Sequence, residues 1–452
     1  MPWRRLHLAR ALSAAGLASS LMFLGSAIAT AAPGDDLEPS TAPSAASTTE
    51  TVDLLKAARA GDLKVSARGQ GQDKVRLSLQ NTSEKRLNVI VPPGLVASSG
   101  VAQRGGGGGF QSMGLGMINN RPGSFGRFQG SSVTGLRSMP INGSDSPSVA
   151  VPVGETVDVS VPAVCLNYGV NTPTPRDSFT LMDVDDYTQD VRIRKGLRSL
   201  ALLGTSHGVA QASMWRICNG IPFEEMAARD AKFLNDSEIA LAARFVEAVD
   251  AAGTEDLVNP ALLTEGRVFV KLTAETTSVE GEVSRLTEKL DGLRLFGLPI
   301  EVVKNDDMPI AKAPAIFVKV ALSENQVGDA VGRLQVGSSL RDDQWRPIGK
   351  AAFRDHASIA VLDSQSLVQL VEQQLAATFV SVKPARKSVG ATTLKIENHL
   401  PFTVAGLNVR AGNSPGSPVV PFEAVGLGPN RAAMVPIQAA QGEIVSLELN
   451  GL

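Results

Sequence analysis

The feature that most restricts the fold of this 452-residue chain is a residue pattern that occurs twice. Near the start, Val75-Arg-Leu77-Ser-Leu79-Gln-Asn81 alternates apolar and polar residues. After a polar turn at Thr82–Lys85, the alternation resumes in Leu87-Asn-Val89-Ile-Val91. Near the end, Leu394-Lys-Ile396-Glu-Asn398, a turn at His399–Pro401 and Phe402-Thr-Val404 repeat that spacing. Period-two alternation sends one set of side chains to a buried sheet face and the other to water, so each segment reads as a β-hairpin. A glycine and a further strand follow each copy: Gly154 before Val157–Val161, and Gly428 before Ala432–Ile437. Asparagine and glycine are 30 residues apart in the second copy and 73 in the first. The copies match once an insertion of about 45 residues is taken out of the first. Two β-sandwich modules are therefore expected, at residues 51–182 and 390–452.

The insertion spans about residues 98–148. It opens on Gly105–Gly109 and is dominated by Gly, Ser, Asn and Pro, the composition of a long disordered surface loop. The paired modules resemble the immunoglobulin-like architecture, but the Cys…Trp…Cys spacing of true immunoglobulin domains is missing, so the resemblance is to a fold alone. Between the modules the rhythm changes. Residues 183–254 read as a helical subdomain, with helices at Val191–Leu203, Val209–Cys218, Phe223–Leu234 and Ser237–Ala252. Residues 262–386 read as an α/β module close to a split βαβ pattern. Its helices are expected at Val279–Leu293, Glu324–Leu334 and Ser364–Ala377, covering one face of a small sheet. Its strands are expected at Arg267–Thr273, Ile300–Lys304, Ala315–Leu322, Ser358–Leu362 and Phe379–Lys383. The class is multidomain α+β.

The N-terminus carries an address. Arg4, Arg5 and Arg10 precede the modestly apolar run Ala11–Ala27 and the small-residue exits Ala27-Ile28-Ala29 and Ala29-Thr30-Ala31. This is the layout of a secretory signal peptide (residues 1–31), cleaved near Ala29–Ala32. Residues 32–50, rich in Pro, Ser, Thr and Ala, follow as a disordered linker. No later stretch reaches the ~18 apolar residues that a membrane span needs. The leader holds three of the 43 basic residues and no acidic ones, leaving 40 against 45 and a net charge of −5. That balance and an exported address do not suit nucleic acid, despite the arginines and phenylalanines of the insertion.

Four constellations bear on chemistry. Gly204-Thr205-Ser206-His207-Gly208 fits the G-x-S-x-G elbow of serine hydrolases, with Ser206 as nucleophile and His356 or His399 as the downstream base. The residues before it have helical periodicity, which favours an interhelical turn in which Ser206 caps the next helix. Gln211-Ala-Ser-Met-Trp215 resembles the Q-x-A-I-W segment of bacterial thioester-domain adhesins. That resemblance implies an internal thioester between Gln211 and Cys165, the single cysteine upstream. Cys165 and Cys218 are also the pair expected to form a disulfide in an oxidising compartment. Asp183, Asp185, Asp186 and Asp190 have the charge for calcium but no EF-hand spacing, and read as helix caps. No cofactor or metal motif is present in the sequence.

The leading expectation is an exported, non-enzymatic binding or scaffolding protein. It would be secreted, periplasmic or attached to the envelope, and its partner an envelope or extracellular protein or polymer. The alternatives are a secreted serine hydrolase using Ser206, or a thioester-type adhesin using Cys165 and Gln211.

Overall fold

The computed structural model describes residues 49–99, 111–115, 148–203, 206–230, 232–388, 391–412, 420–424, 427–437 and 443–451. The expected leader, the linker as far as residue 48 and most of the 98–148 insertion lie outside the described residues.

Strand β1 (Thr49–Asp53) runs into helix α1 (Leu54–Ala60), where Asp53 in extended backbone accepts the Lys56 N–H at 3.0 Å. Gly61 ends the helix in left-handed backbone. Then come β2 (Leu63–Gly69), β3 (Lys74–Asn81), β4 (Arg86–Ile90), β5 (Leu95–Ser98), β6 (Ser112–Leu115), β7 (Ser148–Val151), β8 (Thr156–Cys165) and β9 (Ser178–Asp183). Six of them close into a barrel in the order β2-β3-β8-β6-β5-β9, which replaces the expected sandwich. The reason is that two strands change partner along their length. The ten-residue β8 pairs with β3 through Thr156–Pro162 and with β6 through Ala163–Cys165, while β9 pairs with β2 through Ser178–Phe179 and with β5 through Thr180–Asp183. A sheet linked in this way has no free edge. Val75, Leu77, Leu79, Leu95, Met113 and Leu115 fill its interior and are fully buried.

Two further expectations are corrected here. Strand β6 lies inside the stretch read as loop, because buried Met113 and Leu115 are only two apolar positions among glycines. Strands β3 and β4 do not form a hairpin: β3 pairs with β2 and β8, whereas β4 pairs with β1 and β7. Asn81 turns the chain between the two sheets. Its amide donates to the carbonyls of Lys85 (2.7 Å) and Val151 (3.0 Å), and its oxygen accepts the Ser83 N–H at 2.9 Å.

The helical region comprises α2 (Val184–Tyr187), α3 (Val191–Leu203), α4 (His207–Asn219), α5 (Phe223–Arg229), α6 (Asp236–Ala251) and α7 (Ala261–Thr264). Leu197, Leu200, Ala210, Met214 and Phe245 pack onto Val96, Val164 and Leu166 of the barrel. Close approach requires a glycine on β6. A Cβ at Gly114 would sit 2.4 Å from a Leu197 methyl.

Next come β10 (Val268–Ala274), α8 (Glu280–Glu288), β11 (Arg294–Leu295), β12 (Leu298–Val302), β13 (Ala315–Glu324), β14 (Ala330–Ser339), β15 (Arg346–Asp355) and α9 (Ser364–Phe379). The six strands form one sheet, ordered β11-β12-β10-β13-β14-β15, with β10 parallel to both β12 and β13. Helix residues Val283, Leu286, Leu367 and Val371 share one core with Val268, Val270, Val318 and Val320. The helix expected at Glu324–Leu334 is instead a turn and the strand β14. Asn325 accepts the N–H groups of Val327 and Asp329, and Ala330, Gly332, Leu334 and Val336 then face inward with period two. Likewise, Ser358–Leu362 is a turn before α9, and β15 supplies the strand.

The last strands are β16 (Val380–Ser388), β17 (Ala391–Asn398), β18 (Ala405–Gly412), β19 (Val420–Ala424), β20 (Ala432–Ile437) and β21 (Glu443–Gly451). The pairing of β16, β17 and β20 reproduces that of β2, β3 and β8 in the barrel. Leu63 opposes Asn81 as Val380 opposes Asn398, and Gln80 opposes Thr156 as Glu397 opposes Ala432. A helix precedes the first strand in both cases. Asn398 also repeats the bonding of Asn81, donating to Phe402 O (2.6 Å) and Leu427 O (3.0 Å) and accepting the Leu400 N–H (2.9 Å). Here the strands are arranged as two three-stranded sheets, β16-β17-β20 and β19-β18-β21. Among the described residues, no helix is long and apolar enough to cross a membrane.

Candidate functional site

The site is built where the last residue of β8 meets α4. Helix α4 starts at Ser206, an extended residue whose hydroxyl accepts the Val209 N–H at 3.4 Å, and stops at Gly220 in left-handed backbone. His207, Gln211 and Trp215 are spaced four residues apart, so they form one stripe along the helix. That stripe faces Cys165 across a narrow cleft of about 70 Å³, walled also by Phe233 and Leu234.

Gln211, 4% exposed, lays its amide on the backbone of Cys165. The Cys165 N–H donates to Oε1 at 2.9 Å, and Nε2 donates to the Cys165 carbonyl at 2.8 Å. The amide acts as a single residue of an added strand, satisfying the end of β8 where β3 has already left it. The Cys165 thiol donates to the Gln72 carbonyl at 3.6 Å. Burial pushes this thiol up to about 11, with a hydrogen bond from Gln111 opposing the shift and the Asp73 carboxylate adding to it. The cleft rim is held by Tyr168. Its ring meets Trp215 edge-on at 4.9 Å, and its hydroxyl donates to Asp230 at 3.1 Å. The Trp215 indole N–H is buried with no hydrogen-bond partner.

This arrangement bears on one reaction, addition of the Cys165 thiol to the Gln211 amide. The residue carrying the thiol also holds the amide it would attack. Its own N–H already points at Oε1, the oxygen that gains charge as sulfur adds to the amide carbon. Proximity has to supply the reactivity, because a thiol held near 11 is protonated at neutral pH.

The remaining sequence candidates are placed elsewhere. Ser206 is fully buried as a helix cap. His356 lies beside Asp329 (Nδ1 at 3.7 Å), and His399 shares a 3.1 Å hydrogen bond with Ser381, so neither faces Ser206. The expected disulfide is not formed: Cys165 and Cys218 are both free thiols. Cys218 is two helical turns beyond Gln211, about 10 Å along the axis, and packs against the helical core. A bridge needs the two Cα atoms within about 7 Å. The aspartates act as caps and ion-pair partners. Asp183 accepts the Asp185 N–H and Asp190 the Arg192 N–H, while Asp185 pairs with Arg198 and Asp186 with Arg59. Among the described residues, no group of His, Cys, Asp and Glu is arranged to hold a metal.

Sequence reasoning found Cys165 and Gln211 but missed His207 as their neighbour and Phe233 and Leu234 as the wall. The four-residue spacing of the stripe was a readable signal for the first. The wall had none, since it comes from a loop whose contacts are tertiary.

No protein-family model matches the chain, and a comparison with curated proteins finds no match.

Proposed function

We propose that this is an exported binding protein of the envelope or extracellular space, and that it attaches its partner covalently through an internal thioester between Cys165 and Gln211. The observation that carries this reading is the amide of Gln211 seated on the backbone of Cys165. The thiol attacks the amide carbon, the carbon–nitrogen bond breaks, and the thiol proton leaves with nitrogen as ammonia. A primary amine on the partner then attacks the thioester carbonyl. The carbon–sulfur bond breaks, an amide joins the two molecules, and the thiol recovers a proton. Trp215 supports the reading further, since its unpartnered indole N–H can donate to a carbonyl on whatever enters the cleft.

Intact mass of the unreduced protein tests this. The thioester lowers the mass by about 17 Da through lost ammonia, and methylamine is then incorporated at Gln211. An unchanged mass in protein purified without amines refutes the covalent step.

A further inference from the structure

The cleft wall is clamped by a residue from the opposite end of the chain. Phe233, 57% exposed, and Leu234 face Cys165 and Gln211 from the loop before α6. Arg431, on the turn that leads into β20, donates to the Phe233 carbonyl and grips the Glu238 carboxylate with both arms of its guanidinium, at 3.0 and 2.6 Å. Glu238 is 1% exposed and also closes the capping box of α6 by accepting the Asn235 N–H at 3.0 Å. The same carboxylate lies on the first turn of α4. A Cβ built on Gly208 would stand 2.3 Å from it, so only glycine admits it there. Two neighbouring bonds fix the turn, Asn235 Nδ2 to Pro429 O (2.9 Å) and Asn430 Nδ2 to Ser237 Oγ (2.8 Å). Glu238 therefore touches the turn that leads into β20, the loop that walls the cleft and the start of the helix that carries His207, Gln211 and Trp215.

We infer that Arg431 is a positioning residue for the Cys165–Gln211 site: the C-terminal module latches the Phe233–Leu234 wall over the cleft, and releasing the latch exposes the pair. The inference rests on the reading of the cleft as the site. It does not require the thioester. A partner that draws on the C-terminal module would thereby open the cleft to its own nucleophile. A planar, bidentate grip is what arginine supplies and lysine does not, so the latch is sensitive to a change that preserves charge.

The experiment compares the full-length wild-type protein with Arg431→Gln and Arg431→Lys. Iodoacetamide labelling is read separately at Cys165 and Cys218 by peptide mapping. If the pair has lost ammonia, methylamine capture at Gln211 replaces the Cys165 reading. Arg431→Gln is expected to raise the rate at the site roughly tenfold while Cys218 stays within about twofold, with Arg431→Lys in between. A rate at the site that does not change overturns the latch. So does a parallel rise at Cys218, which would mean general loosening of the fold. A wild-type mass with ammonia retained refutes the thioester alone and leaves the Cys165-to-Cys218 ratio as the test of the latch.

Discussion

Replacing Gln211 with glutamate should produce a protein whose stability depends on pH in a way the wild type does not. The glutamine presents one acceptor and one donor to Cys165, at 2.9 and 2.8 Å, in a position 4% exposed. A protonated carboxyl reproduces both, its carbonyl accepting the Cys165 N–H and its hydroxyl donating to the Cys165 carbonyl. An ionised carboxylate instead sets a buried negative charge against that carbonyl. The folded protein therefore holds the proton more tightly than the unfolded chain, whose glutamate titrates near ~4.3. A group with its folded pKa raised contributes fully below the unfolded value and loses that contribution as pH rises towards the folded one. At about pH 4, Gln211→Glu should be close to wild-type protein whose Gln211 amide is intact. As that buried carboxyl is driven to ionise, the variant should lose about 2–3 kcal/mol by pH 7. Gln211→Ala strands a buried N–H and a buried C=O at every pH, costing about 2–4 kcal/mol with no such slope. Thermal unfolding from pH 4 to 8, paired with hydrogen exchange at the end of β8, separates the two variants. A Gln211→Glu protein with a constant deficit across that range, or with none at pH 7, would refute the assigned geometry.

Asn81→Ala and Asn398→Ala should each cost about 3 kcal/mol, because each strands several backbone groups, and should loosen exchange first in β3 and β17 respectively. Two unequal penalties, one of them under about 1 kcal/mol, would contradict the shared bonding role. Ser206→Ala should lower stability by about 1 kcal/mol through the lost cap, and the wild-type serine should resist a fluorophosphonate probe because its hydroxyl is fully buried. Robust labelling at Ser206 would restore the hydrolase reading. Burial raises the thiols to about 11 at Cys165 and about 12 at Cys218 from an ordinary 9.0. Their contribution to stability is whole below pH 9 and declines as pH rises through those values, which alkaline unfolding of single Cys→Ser variants can check.

Periodicity alone located the strands around Leu77 and Leu394, the helices around Leu197, Ala210 and Phe245, and the correspondence of Asn81 with Asn398. Those patterns are local, because burial of one face imposes its period on the residues themselves. The capping of α4 by Ser206 was legible for the same reason: a cap acts within one turn. Pairing partners were not legible. Nothing in Thr156–Cys165 announces that the strand leaves β3 for β6 midway, and that switch turns a sandwich into a barrel. The run Ala330–Val336 suits either period over so short a span, and its place as a strand was decided by ten opposing residues of β13. Cys165 and Gln211 could be named as candidates from a short motif, but 46 residues separate them, and only the packing of α4 against β8 puts the amide on the cysteine's backbone. The clamp from Arg431 to Glu238 lies further still from anything a local pattern can encode. Its two ends have no reason to be neighbours until the core shared by the helices, the six-stranded sheet and the C-terminal strands has formed.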